Sequence, residues 1–370
     1  MPSSFARTFT TQVPVPVLDL DDSIGQRRAT FRFDLVDTIT GYRTPIYPRR
    51  DTVPTLTHNT SRSIVRQLTG LNFDVDDTSL LDVITSRVEP FMVVDGDAAY
   101  PTGRPLGRYM FNSKLDFEFT SGTISTTMLY DEGFDVDQQL DVSFGAQSTV
   151  GIAARCQTLL LKLLDPLPIE VEIETSPYTA TTAGWRAGTS RGFVVQQLAL
   201  DGDWFSPWFG NDGKMHFIRA FDPATALVTF DLDAGNRVIR NKVVRTSDLI
   251  EAPNRFIVIS NSANAVADDI TGSYDVPSSA PHSIQNRGFV IPKIEDRQVD
   301  DAAQAKAVAR NLGLRQTIVE QLEISTPPDP RHDSYDVLRW RGDNWLEIAW
   351  SLPLVEGSEM QHTARKAYEL

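Results

Sequence analysis

Apolar and polar residues alternate in short runs through most of the first 145 residues of this 370-residue chain. Thr30-Phe31-Arg32-Phe33-Asp34-Leu35, Leu71-Asn72-Phe73-Asp74-Val75 and Leu115-Asp116-Phe117-Glu118-Phe119 put an apolar side chain at every second position, the period of a strand with one covered face. Gly122-Thr123-Ile124-Ser125-Thr126-Thr127-Met128 adds β-branched residues suited to a pleated surface. Asp95-Gly96, Ser121-Gly122 and Glu132-Gly133 mark turns between the runs. So many short strands close most simply as a barrel or sandwich. The stretch from Ser61 to Leu68 fits a short helix or another strand equally well.

The period then changes. Thr149 to Leu164 has helical spacing, with Ser148 as cap and Pro166 beyond the end. Ile169-Glu170-Val171-Glu172-Ile173-Glu174 alternates again, as a half-exposed strand. A loop from Tyr178 to Gly188 precedes a second helix from Arg191 to about Leu200, and Asn211-Asp212-Gly213 turns Trp208-Phe209 back onto Met215-His216-Phe217-Ile218. From Ala224 the chain is again mostly extended. Leu227 to Leu232 reads as a strand leading to Val238-Ile239, and Phe256-Ile257-Val258-Ile259-Ser260 as a strand buried on both faces. The polar stretch Ala263 to Arg287, with Pro277 and Pro281, reads as a long surface loop.

The last seventy residues form the most distinctive unit. Ala302, Ala305, Ala309 and Leu312 share one helical face, with Asp300 or Asp301 to cap the helix and Gly313 to end it. A strand around Leu322-Glu323-Ile324, the breaker run Pro327-Pro328-Asp329-Pro330 and a hairpin turning at Gly342-Asp343-Asn344 follow. Trp340 and Trp350 are spaced to face each other across that turn. A thin Ala-faced helix lying on a small sheet suits assembly more than chemistry. The expected fold class is α+β and β-rich: β-barrel domains over 1–148 and 224–370, and a smaller α+β insertion over 149–223.

Composition narrows the function. Hydrophobic residues make up 41% of the chain, enough for real cores. Forty-nine acidic against thirty-five basic residues give a net charge of −14, which argues against a nucleic-acid-binding surface. Arg27-Arg28 and Arg49-Arg50 are too small to reverse that balance. The single cysteine, Cys156, excludes an intrachain disulfide and reads as a buried, inert thiol. No apolar run approaches a membrane span, and the N-terminus lacks the apolar core of a secretion signal.

Candidate chemistry is sparse. Gly188-Thr189-Ser190-Arg191-Gly192 matches the nucleophile-elbow pattern, but no strand precedes it, so Ser190 reads as a helix cap. Asp135, Asp137 and Asp141, and Asp231 and Asp233 with Gly235, hold parts of a calcium loop without its required Gly and Glu, and read as Asx-turns. The five histidines show no zinc-ligand spacing. Trp185, Trp204 and Trp208 lie near Asp201, Asp203 and Asp212, residue types that sugar binding or glycoside cleavage would use; the alternative is a small core under the Asn211-Asp212-Gly213 hairpin. No residue is assigned to catalysis, a cofactor or a metal.

Four passages resemble phage tail hub proteins, in particular minor tail proteins of long-tailed phages infecting actinobacteria. They are Tyr100-Pro101 with Pro105-Leu106-Gly107-Arg108-Tyr109-Met110-Phe111, Ser190 to Leu198 through Asn211-Asp212-Gly213-Lys214-Met215, Asn254 to Ile259, and the closing unit ending in Leu352 to Met360. Together they cover about residues 100 to 370. The resemblance implies a non-enzymatic structural virion protein at the tail tip, assembled in the host cytoplasm. It implies two tube-like barrels per chain, and a homotrimer forming a pseudo-sixfold ring that lines and gates the DNA channel. Implied partners are the distal tail protein ring, the C-terminus of the tape measure protein, and tail tip or fibre proteins. The chain stops soon after Met360, so the resemblance implies a hub without appended domains. The rival expectation is a tail protein that binds or hydrolyses cell-wall glycan.

Overall fold

The structure, a computed structural model, describes residues 8–10, 29–74, 82, 84–97, 99–111, 115–118, 123–126, 128–145, 154–180, 184–234, 238–245, 251–260, 270–297, 299–316 and 320–368. Asn72–Asp74, Thr123–Thr126 and Leu115–Glu118 form a three-stranded sheet, while the alternating run around Phe33 becomes a strand of a separate 14-stranded one. From one edge its path is Arg240–Arg245, Glu320–Thr326, Met360–Lys366, Asp343–Pro353, Thr55–Asn59, Arg66–Thr69, Met128–Asp131, Tyr109–Phe111, Ser86–Val94, Ala29–Asp37 and Arg43–Ile46. Each neighbouring pair on this path is antiparallel. The chain is therefore β-rich, built on a large antiparallel sheet, and no closed barrel is traced among the described residues. Ser61 to Leu68 resolves into a turn and the start of the 66–69 strand.

The two β regions meet at a seam. Strand 343–353 pairs with 360–366 on one side and with 55–59 on the other, in the register Ala349↔Asn59 to Pro353↔Thr55. The core under the early strands (Phe33, Leu56, Leu68, Val88, Leu129) accordingly includes Trp350, Leu352 and Met360. Trp340 packs edge-on against Trp345, at 6.3 Å between ring centres, and does not meet Trp350. The hairpin register explains this: Trp340 opposes Asp343, which puts Trp345 across from Leu338 and carries Trp350 away to the seam.

The stretch 154–217 builds a separate core. Helix Cys156–Leu164 buries Leu159, Leu160 and Leu163 against Val194, Val195 and Leu198 of helix Arg191–Asp201. The first helix begins at Cys156, later than its spacing predicts, because Ala154–Arg155 pairs as a short strand with Thr179–Ala180. The expected cap Ser148 lies outside the described residues. Val171–Glu174 alternates buried and half-buried as expected, and the Asn211-Asp212-Gly213 hairpin forms with Gly213 at φ +76°.

Helix Ala302–Gln316 lies across a three-stranded sheet made by Arg255–Ser260, Ile270–Asp275 and Pro292–Asp296. Asp301 caps it, accepting from the Gln304 amide at 2.7 Å, while the Gln304 side chain accepts from the Asp300 amide at 2.9 Å. The helix runs through Gly313 and does not end there. A Cβ at 313 would sit 2.6 Å from the Tyr274 ring, so this glycine serves close packing. Gly272 does the same beneath the helix, where a Cβ would lie 2.2 Å from the Lys306 nitrogen. Strand 255–260 alternates between buried and half-buried residues, so one face only is sealed. Part of the expected 263–287 loop is the strand 270–275 and the short helix Ile284–Arg287. Two more expectations change locally: Glu132-Gly133 opens the short helix Gly133–Val136, and only Phe230–Asp231 of the 227–232 run is strand. Among the described residues no helix is long and apolar enough to cross a membrane.

Candidate functional site

The seam holds a group of buried and half-buried polar side chains. Arg66, on strand 66–69, is 1% exposed. Its guanidinium pairs with Asp333, donates to Asn211 Oδ1 at 2.5 Å and to His58 Nδ1 at 3.3 Å. With Nδ1 accepting, His58 holds its proton on Nε2, 2.8 Å from Ser334 Oγ. The His58 ring stacks on Trp350 at 5.2 Å, and the Trp350 indole donates to the Asp333 carbonyl at 3.1 Å. Burial, with the Arg66 charge alongside, holds the His58 pKa well below its ordinary value, so the ring is neutral. Burial opposes the Arg66 charge, but Asp333, Tyr109 and Asp131 together outweigh it and the guanidinium pKa rises.

A second group sits one strand further along. Glu347 Oε2 lies 2.9 Å from His332 Nδ1, and its Oε1 lies 2.5 Å from His362 Nδ1. His362 Nε2 is 2.8 Å from Thr326 Oγ1, and Phe230 stacks on His332 at 3.8 Å. All three side chains are buried. Burial alone would discharge His332, yet the Glu347 carboxylate raises it to about 9. Burial would raise Glu347, but the two imidazoles bring it down to about 2. Burial lowers His362, and it pushes Asp336, 3.7 Å from His332, up to about 7. The arrangement is an imidazolium–carboxylate–imidazole triad with no net charge. Two ring nitrogens and a carboxylate within 4.8 Å of one another are a metal-ligand set by type. Here the same atoms hydrogen-bond to each other, which accounts for them without an ion. This triad was not visible in the sequence, because its members come from a loop and two neighbouring strands.

The residues singled out from the sequence lie elsewhere. Ser190 caps its helix: Oγ accepts from the Phe193 amide at 3.1 Å and donates to Asp137 at 2.5 Å. Trp204 and Trp208 are buried, as are Asp201 and Asp203, and of the three candidate carboxylates only Asp212 is exposed. The aromatic cluster is shared between two cores, Trp204 and Phe209 in one, Phe205 and Trp208 in the other. Asp203, at φ +60°, pairs with Arg219 at 2.7 Å and approaches Arg310 at 3.6 Å. Asp212 instead meets His216 Nε2 at 2.9 Å, with Glu172 3.9 Å from the other ring nitrogen. Asp231 closes an Asx-turn onto the Asp233 amide, and Asp233 accepts from the Arg341 and Gly342 amides at 2.6 and 2.8 Å, fixing the 340–343 turn. Cys156 is fully buried, which pushes its thiol pKa up and leaves it unreactive. Arg49 ion-pairs with Asp51 and Asp74, whereas Arg27-Arg28 lie outside the described residues.

At the far end of the sheet, strand 43–46 has one partner among the described residues, strand 29–37. Beside it Ile39, Tyr42, Tyr47 and Val53 are exposed, Ile39 and Tyr47 each at 78%.

No protein-family model and no curated protein sequence matches this chain. Solved structures do. A tail protein from Neisseria meningitidis MC58 superposes with a TM-score of 0.58 at 12% identity, covering 91% of this chain and 96% of that one. The 43 kDa tail protein of prophage MuSo2 from Shewanella oneidensis gives 0.55 at 12%, over 90% and 98%. A prophage tail protein from Listeria monocytogenes EGD-e gives 0.50 at 12%, over 90% and 94%. The chain thus shares the fold of phage tail proteins along nearly its whole length, as its resemblance implied. An actinobacterial host finds no support in these comparisons.

Proposed function

We propose that this chain is a structural protein of a phage-type tail, a hub whose copies form a ring between tail tube and tail tip. The observation that best supports this, beside the shared fold, is the large sheet's pair of uncovered edges. Among the described residues strand 43–46 pairs only with 29–37, and strand 240–245 only with 320–326. Open edges invite further pairing, and an exposed apolar flank such as Ile39, Tyr42 and Tyr47 marks a contact surface. One edge of a copy meeting the opposite edge of the next is a head-to-tail contact, which closes into a ring when the rotation allows.

In this reading the regions 1–148 and 224–370 are the two tube-like barrel modules, completed by neighbouring copies, and 149–223 is the insertion. Three such chains present six modules to a sixfold tube. The ring's partners are the distal tail protein ring, the end of the tape measure protein, and tip or fibre proteins. The net charge of −14 repels DNA from the channel it lines and gates. The rival glycan-directed reading loses its platform, since Trp204 and Trp208 are sealed in cores and Asp203 is engaged by Arg219.

Mass photometry of the purified chain, alone and mixed with tail tubes, tests the proposal. A threefold mass or binding to tube ends is expected, and the double change Ile39→Lys and Tyr47→Lys should abolish it without altering the melting temperature. A chain that stays monomeric and never decorates tubes would overturn the reading.

A further inference from the structure

Independently of that role, we propose that the chain binds a small phosphate- or carboxylate-bearing molecule in the cavity floored by Arg315 and Arg365. The cavity has a volume of about 320 Å3, within the range of small-molecule sites. Its lip is the exposed Ser61-Arg62-Ser63 turn between strands 55–59 and 66–69, and Tyr335 and Arg365 lie buried at its base. Although 49 residues of the chain are acidic, no carboxylate lines this cavity, whereas three arginines do.

Arg365 carries most of the argument. It is 6% exposed, and among the described residues its guanidinium makes no hydrogen bond or salt bridge. The ionisable groups around it are Tyr335, Tyr274 and the like-charged Arg315. Burial lowers its pKa to about 10, which still leaves it a cation at neutral pH. Its other side borders a cavity of about 50 Å3 that includes Asp222, but that carboxylate accepts from the Ala224 amide at 3.0 Å and forms no ion pair with Arg365.

A buried, unpaired cation is costly, and natural sites of this kind hold a counter-ion. Arg315 is fixed beside it, donating to Asn311 Oδ1 at 2.9 Å and to the Trp204 carbonyl at 2.6 Å. Ser63 and Ser206 line the same space, whereas the Thr60 and Ser61 hydroxyls donate to the Ile348 carbonyl and to Asn59 Oδ1. Two guanidinium groups beside Ser63 and Ser206 suit a planar carboxylate or a phosphate, and neutral solutes would leave both charges unanswered.

The test is calorimetric titration of the full chain, purified without oxyanions, with inorganic phosphate and with citrate at constant ionic strength, using chloride as reference. Saturable binding of either probe is expected, with a rise in melting temperature. Phosphate alone, or citrate alone, then identifies the group recognised. Arg365→Met should weaken binding at least about tenfold, the loss of one charge-assisted contact. Ser63→Phe, at the exposed lip, should weaken it comparably without touching the interior, and decides the matter if the Arg365 variant fails to fold. No binding above the chloride reference, or binding unchanged in the folded variants, overturns the proposal.

Discussion

Replacing Glu347 by Gln tests the charge assignment at the seam. The amide keeps the shape and can still bridge two imidazoles, but it no longer rewards a charged His332. In the native chain His332 rises from an ordinary 6.5 to about 9 and Glu347 falls from 4.5 to about 2. Each is a change of roughly 2.5 units, or about 3 kcal/mol at about 1.4 kcal/mol per unit. These are two views of one interaction, so they count once. A raised histidine contributes stability in full below its unfolded pKa and loses it as pH climbs through its folded pKa. A depressed carboxylate contributes in full above its unfolded pKa and loses it as pH falls through its folded pKa. The contribution is therefore complete between about pH 4.5 and 6.5, fades toward 9, and fades again toward 2. Asp336, raised to about 7 by burial, adds a fall in stability with rising pH, and because His332 and Glu347 both act on it, part of that fall differs between the two proteins. Denaturant midpoints at about pH 5.5, 7.5 and 9.5 should show Glu347→Gln less stable by about 3 kcal/mol at the lowest pH, with the gap narrowing strongly at the highest. A gap that stays the same at all three refutes an imidazolium at His332.

Further outcomes follow from other features. Arg66→Met leaves the half-buried Asp333 and Asn211 without their shared cation, and should cost about 1–3 kcal/mol by chemical denaturation. Gly272→Ala should lower the melting temperature sharply, because the new methyl meets helix backbone at 2.2 Å and that neighbour cannot rotate away; overpacking of this kind costs about 1–3 kcal/mol or more. Ser190→Ala should cost about 1 kcal/mol as a lost helix cap and leave the mass of the folded species unchanged, as read by thermal melting and mass photometry.

Local chemistry was legible wherever it acts over a few residues. Ser190, the Asp301 cap and the Asn211-Asp212-Gly213 hairpin sit where their side chains and backbone freedom demand. The alternating runs around Phe33 and Phe73 became strands for the same reason. What the sequence could not disclose is partnership. Nothing near Leu56 announces that it will lie opposite Leu352, and period-two alternation is silent about which strand comes next. The polarity of 263–287 and its two prolines point to loop, yet residues 270–275 form a strand because helix Ala302–Gln316 packs on them. Gly313 looked like a helix end because its true reason, the Tyr274 ring, lies 39 positions away. The His332–Glu347–His362 group and the Arg315–Arg365 cavity were invisible on the same ground, each assembled from elements distant in the chain.

The interleaving of strand 343–353 between 55–59 and 360–366 also sets a schedule for biosynthesis. A ribosome that has delivered the opening third of the polypeptide has not yet made Trp350, Leu352 or Met360, on which the early strands pack. Until those residues emerge, the nascent segment cannot complete its interior. Closure of the early β region therefore waits on translation of residues near 360, and its unpaired strands stay open until then.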